Sequence, residues 1–153
     1  MNEDFEMTNT IDPVDYLEMR KAVGFGSFPV EQAAEGLRNS IMWCIRDKNQ
    51  PVAFGRIITD YGYVVYVADI MVLPQYQGRG LGRTIMENIM QHIRSMIKPG
   101  YRIMVVLVAA LGKEKFYEKF GFIKRPNENF GPGMHQWLET SSLPRLTPIS
   151  AFL

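Results

Sequence analysis

Between Val72 and Arg83 the chain reads Val-Leu-Pro-Gln-Tyr-Gln-Gly-Arg-Gly-Leu-Gly-Arg, and the apolar period changes across it. Upstream, Tyr63 to Leu73 is strand-like; downstream, Leu81, Ile85, Ile89, Ile93 and Ile97 recur at every fourth position and line one face of a long helix. Pro74 stops the strand, and glycines occupy positions 78, 80 and 82. Glycine lets a backbone approach a ligand closely and adopt conformations that other residues avoid. The unpaired N–H groups and the dipole of a helix N-terminus attract anions, and Arg79 and Arg83 add positive charge at that end. The segment therefore predicts a phosphate or pyrophosphate site, the bland alternative being an ordinary tight turn. No Gly-Lys-Ser/Thr is present, which excludes a Walker A loop, and the third position of GxGxxG counted from Gly78 is Arg83, which excludes a dinucleotide fingerprint.

The remaining elements follow from periodicity and turn residues. Phe5 to Thr8 predicts a short strand. Asp12-Pro13 reads as the N-cap and first residue of a helix to Val23, with Val14, Leu17 and Ala22 buried and Gly24 ending it. Pro29 opens a second helix through Leu37. Ser40 to Ile45, Val52 to Thr59 and Tyr63 to Leu73 form an antiparallel meander. Lys98-Pro99-Gly100 terminates the long helix. Ile103 to Val108 is apolar at every position, as expected of a central strand covered on both faces. Gly112 to Phe120 reads as a shorter helix with Gly121 after it. Phe122 to Lys124 and Met134 to Glu139 complete the list as two last strands around the loop Arg125–Gly133. Strands mixed with crossing helices imply an α/β sandwich.

Composition narrows the class. A chain of 153 residues predicts one domain, and 46% hydrophobic with 22% charged residues is globular. Lys+Arg minus Asp+Glu is 17 − 16 = +1, which makes no electrostatic case for nucleic acid or an acidic membrane. The longest apolar run, Ile103 to Leu111, is well short of the roughly 20 residues of a membrane helix. The first residues are acidic where a signal peptide would be basic. Cys44, the 1 cysteine, excludes an internal disulfide; between Trp43 and Ile45 it reads as an inert small hydrophobe. His92, read as a surface residue, and His135, read as a strand histidine or an acceptor-site residue, make no metal constellation. These features predict a soluble cytoplasmic protein that binds no metal. The expected domain spans residues 1–140, with a tail at 141–153 that packs on a neighbouring subunit, leaving a homodimer open, or is disordered.

Gln77-Gly78-Arg79-Gly80-Leu81-Gly82 resembles the Gln/Arg-x-x-Gly-x-Gly/Ala signature of the GNAT N-acetyltransferase superfamily, placed after a strand as in that family. Phe116-Tyr117-Glu118-Lys119-Phe120-Gly121-Phe122 resembles the family's Phe/Leu-Tyr-x-x-x-Gly-Phe segment, with one strand between the two motifs. The resemblance covers roughly Ile41 to Phe122 plus the preceding helix pair. It implies a mixed, mostly antiparallel sheet of about six to seven strands flanked by about four helices. It also implies an enzyme that moves the acetyl group of acetyl-CoA directly to a primary amine in a ternary complex. By the same resemblance the backbone of Ile70, Met71 and Val72 pairs with pantetheine. The turn from Gln77 through Gly78, Arg79, Gly80, Leu81 and Gly82 to Arg83 binds pyrophosphate, with the hydroxyl of Thr84 added.

Acyl transfer to an amine needs a donor for the thioester oxygen, an acid for the departing thiolate, and an amine that has lost its proton. The resemblance gives the first role to a backbone N–H at Ile70 or Met71 and the second to Tyr117. Phe116 and Phe120 already define that helix's apolar stripe and leave Tyr117 off it, the alternative for Tyr117 being a core aromatic. Asp69, a carboxylate inside an apolar strand, is the candidate base; its alternative is a hydrogen-bonding role at a sheet bulge. The pattern departs from the family where relatives carry a Glu earlier on this strand, here Tyr66, and an Asn after the next one, here Ala109-Ala110. A base acting through water, or an amine that arrives neutral, stays open. The resemblance sets the acceptor groove between the first helix pair and the last strands, walled by Phe25, Phe28, Trp43, Tyr66, Phe130 and Met134, with Glu128 to hold a cationic amine. A small-molecule amine is the expected acceptor. The rival reading is a catalytically idle module that binds acyl-CoA.

Overall fold

The strands and helices follow the chain in simple order. The computed structural model describes residues 4–140. Strand β1 (Phe5–Thr8) is followed by helices α1 (Pro13–Ala22) and α2 (Val30–Arg38) and by strands β2 (Ile41–Asp47), β3 (Gln50–Thr59) and β4 (Val64–Val72). A 3₁₀ turn at Pro74–Tyr76 leads into helix α3 (Leu81–Met96), then β5 (Met104–Leu107) and α4 (Glu114–Glu118). The chain divides into two compact units, Met1–Phe122 and Ile123–Leu153. The expected tail at 141–153 lies outside the described residues.

Asp12 caps α1 as expected, its carboxylate accepting the Val14 amide at 2.8 Å. Of the three residues expected to be buried on that helix, Leu17 packs against the core and the other two do not. Tyr16, Met19 and Arg20 point inward, whereas Val14 is 49% exposed and Ala22 lies on the surface. The apolar count misses this face because two of its three residues carry polar ends that find buried partners.

The sheet runs β1-β2-β3-β4-β5, antiparallel except for the parallel pair β4–β5. Five strands form among the described residues, not six or seven. Phe122–Lys124 and Met134–Glu139 adopt no strand. In the second unit the Asn127 side chain instead accepts the amides of Asn129 and Phe130, and Arg125 Nε donates to the Gly131 carbonyl at 2.8 Å. Apolar alternation shows that residues suit a pleated surface, but a strand exists only where a neighbour supplies the ladder. For the same reason the apolar run after Ile103 is not a central strand: β5 stands at one edge of the sheet, and Met104 is 47% exposed.

Helix α3 covers one face of the sheet. Leu81, Ile85, Met86, Ile89 and Ile93 are buried, as their spacing predicts, while Ile97 lies past the helix end and is 45% exposed. Gly55 on β3 makes this approach possible, since a Cβ there would stand 2.6 Å from Ile85 Cγ2 and 2.8 Å from Ile70 Cδ1. Each of these buried aliphatic side chains contributes about 1.5–3 kcal/mol. Helix α1 covers the other face, with the Tyr16 ring edge-on to Phe54 at 5.5 Å.

Candidate active site

Strand β4 does two unusual things in succession. Its pairing with β5 ends at Val67↔Leu107, so from Ala68 to Val72 it runs beside β3 alone. Immediately after the parting, Asp69 and Ile70 stand together opposite Gly55, because Arg56 pairs with Ala68 and Phe54 with Met71. This is a β-bulge, a device that bends a strand and re-aims its groups. Asp69 takes φ +55°, a left-handed conformation that Asp tolerates better than most residues. The β5-side backbone of Ile70, Met71 and Val72 therefore has no strand partner among the described residues. One group there is engaged: the Val72 carbonyl accepts from Gln77 Nε2 at 3.1 Å.

The opened edge leads into the glycine turn. Gly78 and Gly80 have φ of +78° and +81°, and Gly80 is the N-cap of α3. The first intrahelical bond runs from Thr84 N to the Gly80 carbonyl at 3.0 Å, which leaves the amides of Leu81, Gly82 and Arg83 ahead of it without helical acceptors. Thr84 Oγ1 donates back to the same carbonyl at 3.1 Å. Gly82 has no positive φ, and a Cβ there would meet Phe116 Cζ at 3.5 Å and Val72 Cγ2 at 3.6 Å, ordinary contact distances, so the position has room for an alanine. Arg79 lies over the Tyr76 ring at 5.0 Å, and Arg83 pairs with Glu87 at 2.8 Å. A cavity of about 650 Å3 opens between α3 and α4, with Arg83, Arg94 and Lys119 on its walls against the single carboxylate of Glu87.

Tyr117 on α4 is half-buried, its ring 5.0 Å from Phe116 and 6.2 Å from Phe122. Burial pushes its phenol up to about 12, so the O–H keeps its proton throughout the neutral range.

Across the sheet from α3, Asp69 is gripped by three donors. Tyr16 Oη donates to Oδ2 at 2.6 Å, Arg20 to Oδ1 at 2.7 Å and Arg56 Nε to Oδ2 at 2.7 Å. All three charged side chains are largely buried, at 9%, 11% and 17% exposed for Arg20, Asp69 and Arg56. Burial, and then the hydrogen bond to Asp69, raise the Tyr16 phenol. Phe28 packs under the Arg20 guanidinium at 4.7 Å, with Phe25 at 5.5 Å. A cavity of about 200 Å3 sits beside this cluster, bounded by α1, α2 and β3.

Of the expected acceptor wall, Phe28 lines that cavity. Tyr66, 37% exposed, feels the same charges: its phenol is raised by burial first and by Asp69 second. Trp43 is elsewhere, buried on the α3 face with its ring edge-on to His92 at 5.3 Å. His92 is accordingly half-buried and not a surface residue. Phe130, Met134 and Glu128 belong to the second unit, where the Arg125 guanidinium lies 5.2 Å from the Phe130 ring. Cys44 is fully buried and its thiol is raised by that burial, which fits an inert side chain. Among the described residues no His, Cys, Asp and Glu cluster suits a metal, and no helix is long and apolar enough to cross a membrane.

Sequence reasoning missed Tyr16, Arg20 and Arg56. The signal was present: Arg56 interrupts the apolar strand Val52–Ile58 as Asp69 interrupts the next one, and two opposite charges in adjacent buried strands need each other.

Comparison with known proteins agrees with this geometry. Residues 38–124 match the acetyltransferase (GNAT) domain. An uncharacterised N-acetyltransferase, ycf52, of Pyropia yezoensis is 30% identical over 111 residues, 69% of this chain and 62% of that protein. Serotonin N-acetyltransferase 2 of rice is 30% identical over 115 residues, 72% of this chain and 56% of its own length. The chain thus spans less than two thirds of either relative. A probable acetyltransferase of Staphylococcus aureus superposes with a TM-score of 0.78 and 31% identity, covering 87% of this chain and 99% of that one. With a matching domain over more than half its length and the strand parting, bulge and glycine turn in order, the chain belongs to the GNAT acetyltransferase family.

Proposed function

We propose that the protein transfers the acetyl group of acetyl-CoA directly to the primary amine of a small molecule, in a ternary complex. The observation that carries this reading is the opened edge of β4, continuous with the amides at the start of α3. The residues present fit the coenzyme. An extended pantetheine can add to the β5-side backbone of Ile70, Met71 and Val72 as another strand would, taking the place of the Gln77 side chain at the Val72 carbonyl. Within the turn from Gln77 to Thr84 the amides of Leu81, Gly82 and Arg83 are left without helical acceptors. Bound there, acetyl-CoA supplies an activated thioester.

The chain's own groups then divide the work. The bulge aims a backbone N–H of Ile70 or Met71 at the carbonyl oxygen, where it stabilises the charge that develops during attack. Tyr117 Oη donates a hydrogen bond to the sulfur as it departs. Full transfer of that proton to an ordinary thiolate would run uphill by about 5 kcal/mol, given a thiol pKa of roughly 8.5, so the phenol acts by hydrogen bonding while charge builds. Asp69 is better suited to holding the bulge than to removing a proton, because three donors already occupy its two oxygens. Two guanidiniums against one carboxylate leave that cluster with 2 − 1 = +1 charge, which disfavours an ammonium nearby and favours the neutral, nucleophilic amine.

The same occupied carboxylate favours a second reading, an acyl-CoA-binding module without turnover. One experiment separates them: release of free coenzyme-A thiol from acetyl-CoA, with and without a panel of arylalkylamines, polyamines, amino sugars and amino acids. Amine-dependent release establishes the transferase. Binding of acetyl-CoA without release from any amine establishes the module, and absence of binding overturns both.

A further inference from the structure

The cavity beside the bulge has a chemistry that bears on which amine is acetylated, an inference that rests on the transfer reading above. Tyr16, Phe28, Gln32, Ala33, Leu37 and Arg56 contribute to its wall, and Arg56 is the only charged lining residue. A basic acceptor with a second cationic group ordinarily meets a carboxylate in its pocket; none lines this one. Asp69 lies one side chain away, but both its oxygens are taken. The Arg56 guanidinium is spent on only part of its donor fork. Nε donates to Asp69 and Nη1 donates to Ser40 Oγ at 2.8 Å, which leaves Nη2 without a partner among the described residues. The side chain as a whole is 17% exposed, and since no buried side-chain N or O among the described residues lacks a partner, Nη2 is an accessible donor that a ligand can reach. Arg20 stands behind it with a second positive charge that the single carboxylate does not offset.

We propose that the acceptor is a small primary amine that also carries an anionic group, carboxylate or phosphate, which Arg56 receives in this cavity. The arrangement separates two tasks by charge. The anionic end is drawn to the free edge of the guanidinium, and the amine, repelled by the same charge, is held away from it as a neutral base. Phe28 and Leu37 supply an apolar wall for the part of the molecule between them. The cavity, about 200 Å3 and open on one side, has room for a group of about the size of a single amino acid.

The test compares matched pairs, with rates expressed per unprotonated amine: phenylalanine against phenethylamine for a carboxylate, and phosphoethanolamine against ethanolamine for a phosphate. The anionic member of at least one pair is expected to have a kcat/KM at least tenfold higher, and which pair responds identifies the anion. Arg56→Lys keeps the charge but not the fork. Because Arg56 also braces Asp69, any slowing common to both members of a pair is divided out by reading their ratio: the anionic acceptor's kcat/KM is expected to fall roughly tenfold further than that of its uncharged counterpart. Equal or better turnover of both uncharged amines overturns the proposal and leaves the transferase standing. If no amine is turned over, calorimetry on the coenzyme A-loaded protein decides. Tighter binding of N-acetylphenylalanine than of N-acetylphenethylamine supports the anion pocket, and equal binding overturns it, whatever becomes of catalysis.

Discussion

The two faces of the sheet are held by different physics. On the α3 face, Trp43, Gly55, Ile57, Ile85, Met86 and Ile89 exclude water by close packing, and helix and strand meet so tightly that one position must be glycine. On the α1 face, Met19 is buried and the Tyr16 ring packs beside Phe54, but a carboxylate, two guanidiniums and a phenol are built into the contact and a cavity remains beside them. Interlocking apolar side chains are adaptable in identity but not in volume. A buried charge cluster is the reverse, tolerant of some slack in space but intolerant of losing a member. The molecule thus keeps its rigid platform on one side and its charged pocket on the other, with β4 shared between them.

Substitutions on each face test this contrast. The largest effect is expected from Asp69→Asn, which keeps a residue that accepts the left-handed backbone but leaves two guanidiniums facing no charge. It should cost about 3–5 kcal/mol in denaturant unfolding, and a cost under about 1 kcal/mol would mean that the charges merely fill space. Ile89→Ala, on the opposite face, should cost about 2–5 kcal/mol while leaving acetyl-CoA affinity within a few fold. Tyr117, which we propose hydrogen-bonds the departing sulfur, tests function apart from packing. Tyr117→Phe should lower kcat about 100-fold with little change in stability. Because its phenol is raised to about 12, deprotonation, and any loss of rate from it, comes only as pH approaches that value; the pH–rate profile below about pH 10 should show no limb that Tyr117→Phe removes. Gly55→Ala should cost about 1–3 kcal/mol, the smallest of the four: the added methyl would stand 2.6 Å from the Ile85 branch methyl, so the helix must shift, while the Ile70 and Ile89 ends can rotate away.

The same contrast explains what could be read from the sequence. The α3 face was legible because Leu81, Ile85, Ile89 and Ile93 repeat with the helix and burial follows from that repeat. The glycine turn was legible because φ near +80° at Gly78 and Gly80 restricts the residue type. The α1 face was not, since Tyr16 and Arg20 look like surface residues until Asp69 and Arg56 are known to lie opposite them. Pairings between residues 49 or 53 positions apart leave no periodic trace. Trp43 failed for a related reason: its strand was recognised, but the face it uses depends on the register with β3, and register placed it against His92. Phe122–Lys124 and Met134–Glu139 have strand-like composition, yet composition cannot supply a neighbour.

The bulge at Asp69 also has a consequence for time. Its open shape is maintained by bonds internal to the protein, from α1 and β3, and not by anything a ligand brings. The gap in the sheet is therefore built into the fold, and on the proposed function the coenzyme need wait for no prior rearrangement. Observed association rates should rise in proportion to ligand concentration and not level off, as they do where a protein must first reach a rarer state.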